Sequence, residues 1–195
     1  VKDERHWLDR FVHSSAAQVA AFSWRLAEAT VFFIVPDVLL TVLSCRSIRI
    51  GSKAVVAATL GALAGGLVMY AAGSVAPDAS RAFLVRVPAV HPQLVERVQS
   101  QLSEYDLTAV LIGPIQGVPY KIYAVEWGAT RRSLPAFLLI SIPARGIRFL
   151  AAVLLANVVA RALSPLTRRR QQAEMAILAI VWTGFYAFYF HRFGW

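Results

Sequence analysis

The sequence predicts an all-α integral membrane protein, a polytopic helical bundle in which two broken, re-entrant segments oppose each other in an inverted repeat. Three observations predict it. Hydrophobic residues make up 57% of the 195, against roughly 45–50% in soluble domains, and the mean hydropathy is +0.56. Residues 54–73 carry no charge, and about twenty such residues cross a hydrocarbon core of ~30 Å. Two further apolar segments are interrupted by proline at corresponding places along the chain. A soluble helical fold of unusually apolar composition is the alternative.

Taken in order, residues 1–14 read as an interfacial helix, with Trp7, Leu8, Phe11 and Val12 on one face and charges opposite. Residues 15–163 read as one membrane domain. It opens with an apolar stretch, 15–45, interrupted by Arg25, Glu28, Pro36 and Asp37. Basic punctuation at Arg46, Arg49 and Lys53 precedes the uninterrupted span 54–73. Residues 77–106 alternate in charge and contain Pro88 and Pro92, which predicts a surface segment with a short amphipathic helix. Residues 107–128 are apolar but broken at Gly113, Pro114, Gly117 and Pro119. After Arg131 and Arg132 a long helix is expected over 134–163, containing Pro143, Arg145 and Arg148. A basic turn and a final span, with its apolar run over 175–190, occupy 164–195.

The two broken segments, residues 29–45 and 107–128, share one order: an apolar run containing proline, a basic turn, then a continuous membrane helix. Interrupted hydrophobic segments at matching positions of two halves signal an inverted repeat with a site near the midplane. Non-helical backbone at that depth persists only when buried in protein or lining a wet cavity. Two ordinary proline-kinked helices are the plainer alternative.

The formal charge is +9. The charges punctuate apolar runs instead of forming one basic face, so they read as topology determinants and contacts to anionic lipid, and nucleic acid is not an expected partner. If both broken segments are re-entrant, one side holds Lys2, Arg5, Arg10, Arg46, Arg49, Lys53, Arg161, Arg168, Arg169 and Arg170. The other holds Arg81, Arg86, Arg97, Arg131, Arg132 and Arg192. Ten against six predicts a cytoplasmic N-terminus and an outer C-terminus. The single cysteine, Cys45, excludes an internal disulfide. The four histidines lack ligand spacing, so no metal and no cofactor is expected.

Four segments resemble the DedA superfamily, also called the VTT or SNARE-associated Golgi domain family, over about residues 28–160. EATVFFIVPDVLL, with Glu28, Pro36 and Asp37, looks like its first re-entrant loop. GALAGGLVMYAAG, with Gly61, Gly65, Gly66, Tyr70 and Gly73, is similar to its glycine-spaced helix. GPIQGVPYKIYAVEWG, with Gly117, Pro119, Tyr120, Lys121 and Gly128, looks like its second loop, and IPARGIRF, with Arg145 and Arg148, like the start of the next helix. Many bacterial members carry an arginine near the proline of the second loop, where this chain has Gln116 and Lys121; others share the PYK form. The resemblance implies a bacterial inner-membrane location and transbilayer movement or scrambling of phospholipids or polyprenyl phosphates, with proton coupling in some members.

Glu28, Asp37, Lys121, Glu126, Arg145 and Arg148 all fall in or beside apolar runs. A charge at the bilayer centre costs roughly 2.5–3.5 kcal/mol, so six unpaired ones would cost about 15–20 kcal/mol, more than a domain's typical net stability. They must pair, face water or sit near the interface. Arg145 and Arg148 are three apart on one helical face, placed to fork a phosphate. The expected function is therefore a membrane carrier of an anionic lipid headgroup and not an enzyme. Arg145, Arg148, Lys121 and Tyr120 would bind the headgroup; Glu28, Asp37 and Glu126 would exchange protons. The alternative for the charges is a set of structural ion pairs, and Arg145 would merely snorkel if Pro143 opens its helix. Gly61, Gly65, Gly66 and Gly73 read as a helix-packing face; a homo-oligomer or a scaffold subunit would also use such a face. An intramembrane enzyme acting on lipid phosphates is the remaining alternative.

Overall fold

The computed structural model describes residues 10–12, 14–32, 37–88, 90–113, 116–163 and 170–193. Every regular element among them is a helix. Of the expected N-terminal helix only 10–12 and Ser14 lie in this set; 10–12 are helical, and Val12 packs into the core.

The apolar stretch 15–45 is two helices, α1 (Ser15–Thr30) and α2 (Asp37–Arg46), so the first broken segment, 29–45, runs from the end of α1 through α2. Pro36, between them, lies outside the described residues. Helix α3 (Ile48–Val75) starts earlier than the expected residue 54, because nothing between Ser47 and Ala54 breaks a helix; Gly51 and Lys53 fall in its opening turns. The polar stretch is two short helices, α4 (Pro77–Leu84) and α5 (Pro92–Tyr105), each opened by proline at a position whose N–H has no helical partner. Helix α5 is amphipathic: Val95, Val98 and Leu102 are buried, whereas Glu96, Arg97 and Glu104 are exposed.

The second broken segment is α6 (Leu107–Ile112) and α7 (Tyr120–Ala129). The chain between them turns through Gly117 at φ 77°, a left-handed conformation that glycine adopts without a Cβ clash. Pro119 caps α7 in extended conformation; Pro114 lies outside the described residues. Helix α8 (Leu134–Leu163) runs through Pro143 without ending, so Pro143 does not open the helix that carries Arg145. Helix α9 (Arg170–Phe193) follows, with its described apolar stretch at Ala176–Phe188.

Among the described residues two helices are long and apolar enough to cross a membrane, α3 and α8, of 28 and 30 residues. At 1.5 Å per residue they reach about 42 and 45 Å.

Helix α3 is central. Its inward face is small: Ala54, Ala58, Gly61, Ala62, Gly65, Gly66 and Gly73 are buried, while Val56, Leu60, Leu67 and Val68 point outward. The glycines permit backbone contact. A Cβ on Gly61 would strike the Phe22 carbonyl of α1, one on Gly73 the Val125 carbonyl of α7, and one on Gly65 would lie 2.6 Å from the Ala29 Cβ. Across the same seam Gly128 meets the Tyr70 carbonyl. Helix α1 packs on α3 and α6 on α8; α2 packs on α8 and α7 on α3. One apolar core gathers around α7 with Met69, Val98 and Phe137; a second joins Leu40, Leu43, Ala58, Phe149 and Val153.

Candidate functional site

A buried charge cluster forms where α1, α2 and α8 meet. Arg25 and Glu28 lie three apart on α1, hence on one face, and Arg25 Nη1 donates to Glu28 Oε2 at 2.9 Å. Arg25 Nη2 reaches Asp37 Oδ1 at 3.3 Å, bridging the break between α1 and α2. Its guanidinium also stands 3.8 Å over the Phe149 ring of α8, a cation–π contact that strengthens with desolvation. Arg25 is 0% exposed. Asp37 is the first residue of α2, where the helix N-terminus favours a carboxylate. Its second oxygen accepts from Arg148 Nη2 at 2.6 Å. The Arg148 side chain is 31% exposed, and opens the cluster to one side.

Arg145, one turn before Arg148, is 2% exposed. Its guanidinium lies 4.2 Å over the Tyr120 ring, and among the described residues its Nε and Nη2 have no hydrogen-bond partner. An unpaired charge away from water is costly, so this is the least satisfied group in the cluster. Tyr120 is held beneath it: the phenol donates to Ser141 Oγ at 2.7 Å, and Ser141 donates to the Phe137 carbonyl at 2.7 Å. Phe137 stacks on Tyr120 with centroids 5.4 Å apart. Gly66 makes room for the phenol, since a Cβ there would collide with its hydroxyl. Lys121, 2% exposed, donates from Nζ to the Phe32 carbonyl at 2.6 Å, joining the end of α1 to the start of α7. The field of Glu28 reaches both Lys121 and Arg145.

The formal balance is uneven. Arg25, Lys121, Arg145 and Arg148 contribute four positive charges, and Glu28 and Asp37 two negative ones, leaving +2. An arrangement with excess buried cation, one guanidinium half-bare and another reachable from outside, is suited to hold an anion.

Five of the seven residues expected to bind or exchange protons are brought to this cluster or its wall: Glu28, Asp37, Tyr120, Arg145 and Arg148. Lys121 stands beside it at the α1–α7 contact. Glu126 is elsewhere. It is 1% exposed, and Arg81 of α4 grips it through two parallel bonds of 2.8 Å, with Gln99 of α5 adding one of 3.0 Å. The hydrogen bonds to Glu126 raise the Arg81 guanidinium above its ordinary pKa. Gly117 is exposed in the turn before α7, and Gln116 beside it accepts from Arg97 and Gln101 of α5.

Arg25 is the central residue that sequence reasoning passed over. Its signal was available: an arginine in an apolar run, three before a glutamate. Arg81, Gln99 and Ser141 carried no such signal, because their partners are 45, 27 and 21 residues away. Among the described residues no three His, Cys, Asp or Glu side chains converge as a metal site. No family model, curated protein or solved structure matches the chain.

Proposed function

We propose that the chain is a polytopic membrane protein that carries an anionic lipid headgroup past the cluster formed by Arg25, Glu28, Asp37, Arg145 and Arg148. One observation carries this reading: the Arg145 guanidinium is buried with Nε and Nη2 unpartnered among the described residues, in a cluster with one more cation than carboxylates and with Lys121 beside it. A fold that only needed helix packing would do better with an apolar residue there. A phosphate would meet both nitrogens and Arg148 through the planar fork of each guanidinium.

The membrane half of the proposal rests on α3 and α8 and on how they are dressed. Small residues face inward and Leu, Val and Ile outward, as on α8 at Leu139, Ile147, Leu155 and Val158. Helices in lipid associate through small residues and backbone contact, whereas water would penalise the exposed apolar side chains. The inverted-repeat half draws support from the packing pattern. Exchanging α1, α2 and α3 for α6, α7 and α8 turns the α1–α3 contact into α6–α8, and α2–α8 into α7–α3. A DedA-type carrier, as the sequence resemblance implies, has this organisation. Assembly through the glycine face is less well supported, because Gly61, Gly65, Gly73 and Gly128 are already covered by helices of the same chain.

The test is reconstitution into vesicles containing fluorescent phosphatidylglycerol, with a membrane-impermeant quencher reporting headgroup movement. Wild-type chain should accelerate movement over empty vesicles. Arg145→Met should slow it about tenfold or more while raising thermal stability, because an unpaired buried cation is replaced by an apolar chain. Arg145→Met moving headgroups at the wild-type rate would remove the support for the reading.

A further inference from the structure

We propose that Asp37 is an exchangeable counter-anion: its carboxylate holds Arg148 in this structure, and an incoming phosphate takes its place there. This inference rests on the anion-carrier reading of the same cluster.

The two partners of Asp37 are unequal. Arg25 is fully buried, holds Glu28 as well, and is backed by the Phe149 ring. Arg148 is about a third exposed, and its one described ion pair is with Asp37 at 2.6 Å. One carboxylate with an oxygen on each of two guanidiniums holds the place that two oxygens of a phosphate would take. When the outer bond opens, Arg148 turns to the ligand while Asp37 keeps Arg25, so neither carboxylate nor buried arginine is stranded.

The fastening of α2 fits such an exchange. Its far end is tied to α8 independently of charge: Ser44 Oγ donates to the Val153 carbonyl at 2.8 Å, and Asn157 Nδ2 donates to the Ser44 carbonyl at 3.0 Å. At mid-helix Trp182 of α9 donates to Thr41 at 3.3 Å. The near end is tied to α8 by the Asp37–Arg148 pair. Exchange at Asp37 therefore leaves α2 docked. Its consequence is kinetic. A carrier must bind its cargo well enough to load and weakly enough to release, and an internal competitor lowers apparent affinity by the fraction of sites it occupies.

The experiment is calorimetric titration of the full chain in detergent with inorganic phosphate, against chloride at equal ionic strength. A parallel arm measures phosphatidylglycerol movement in vesicles. Asp37→Asn should bind phosphate about tenfold more tightly than wild type, the order expected for removing one competing charge at hydrogen-bond distance in a partly exposed site. It should also move lipid headgroups more slowly, through slower release. If wild type binds phosphate and Asp37→Asn binds it equally or less tightly, the counter-anion role is overturned and the anion site stands. If neither binds phosphate and neither moves lipid, the anion reading itself fails and the inference with it. Should Asp37→Asn not survive purification, extraction in phosphate supplies the second reading. Restoration by phosphate but not chloride supports exchange, since the ligand then replaces the lost charge; no restoration overturns it.

Discussion

Arg148 and Asp37 meet at 2.6 Å across 111 residues of sequence, and this pair ties the start of α2 to the middle of α8. Its removal should be felt in proportion to its exposure. Breaking a fully buried pair costs about 3–5 kcal/mol. Here Arg148 is a third exposed and Arg25 still holds the carboxylate, so Arg148→Met should cost about 1–3 kcal/mol of thermal or denaturant stability. Arg148→Lys should restore most of that stability yet not the rate of headgroup movement, because an ammonium lacks the planar fork. Equal rates for wild type and Arg148→Lys would reduce Arg148 to a structural cation.

Glu126 tests the opposite case. Its two oxygens are fully engaged by Arg81 and Gln99, away from the charge cluster. Glu126→Gln should lower stability by about 1–3 kcal/mol, with headgroup movement per folded molecule and its pH profile both retained. A changed pH profile would return Glu126 to proton exchange.

The glycine contacts predict a sharp contrast between positions. Gly61→Val has no room against the Phe22 carbonyl and should cost at least ~1–3 kcal/mol. Gly184→Ala, with nothing within 4 Å, should be neutral or stabilise by up to ~1 kcal/mol, since alanine is the better helix former. Thermal unfolding in one detergent compares them. Similar values for the two variants would mean that α1 and α3 are not pressed together at Gly61.

Orientation is tested by impermeant thiol labelling of intact cells in a Cys45→Ser background. Lys53→Cys should be protected and Ser133→Cys labelled, because the bias of ten basic residues against six predicts a cytoplasmic start for α3. Both positions are exposed on the protein, so burial does not mask the readout. The reverse pattern would invert the topology and leave the fold untouched.

Helix existence was legible because hydrophobic runs and proline breaks act locally: the interruption before Tyr120 and the long helix through Arg148 both follow from adjacent residues. Boundaries were less so; α3 begins at Ile48 because charged Arg49 and Lys53 are tolerated in a helix even where they end a hydrophobic run. Charge in apolar runs pointed to Glu28, Asp37, Arg145 and Arg148, yet their pairing was not legible. Nothing near Asp37 in sequence announces Arg148, and nothing near Glu126 announces Arg81. Arg25 is hidden for a different reason: in the sequence it only interrupts an apolar run, and the fold is what joins it to two carboxylates.

The measurement that tests the central claim most directly is a structure of the chain in a bilayer disc containing phosphatidylglycerol. The account predicts phosphate density between α2 and α8, within hydrogen-bond distance of Arg148 and of Arg145 Nε and Nη2, which have no partner among the described residues. Density showing those nitrogens satisfied by protein or water, with Arg148 still on Asp37 and no headgroup in the cluster at saturating lipid, would contradict it.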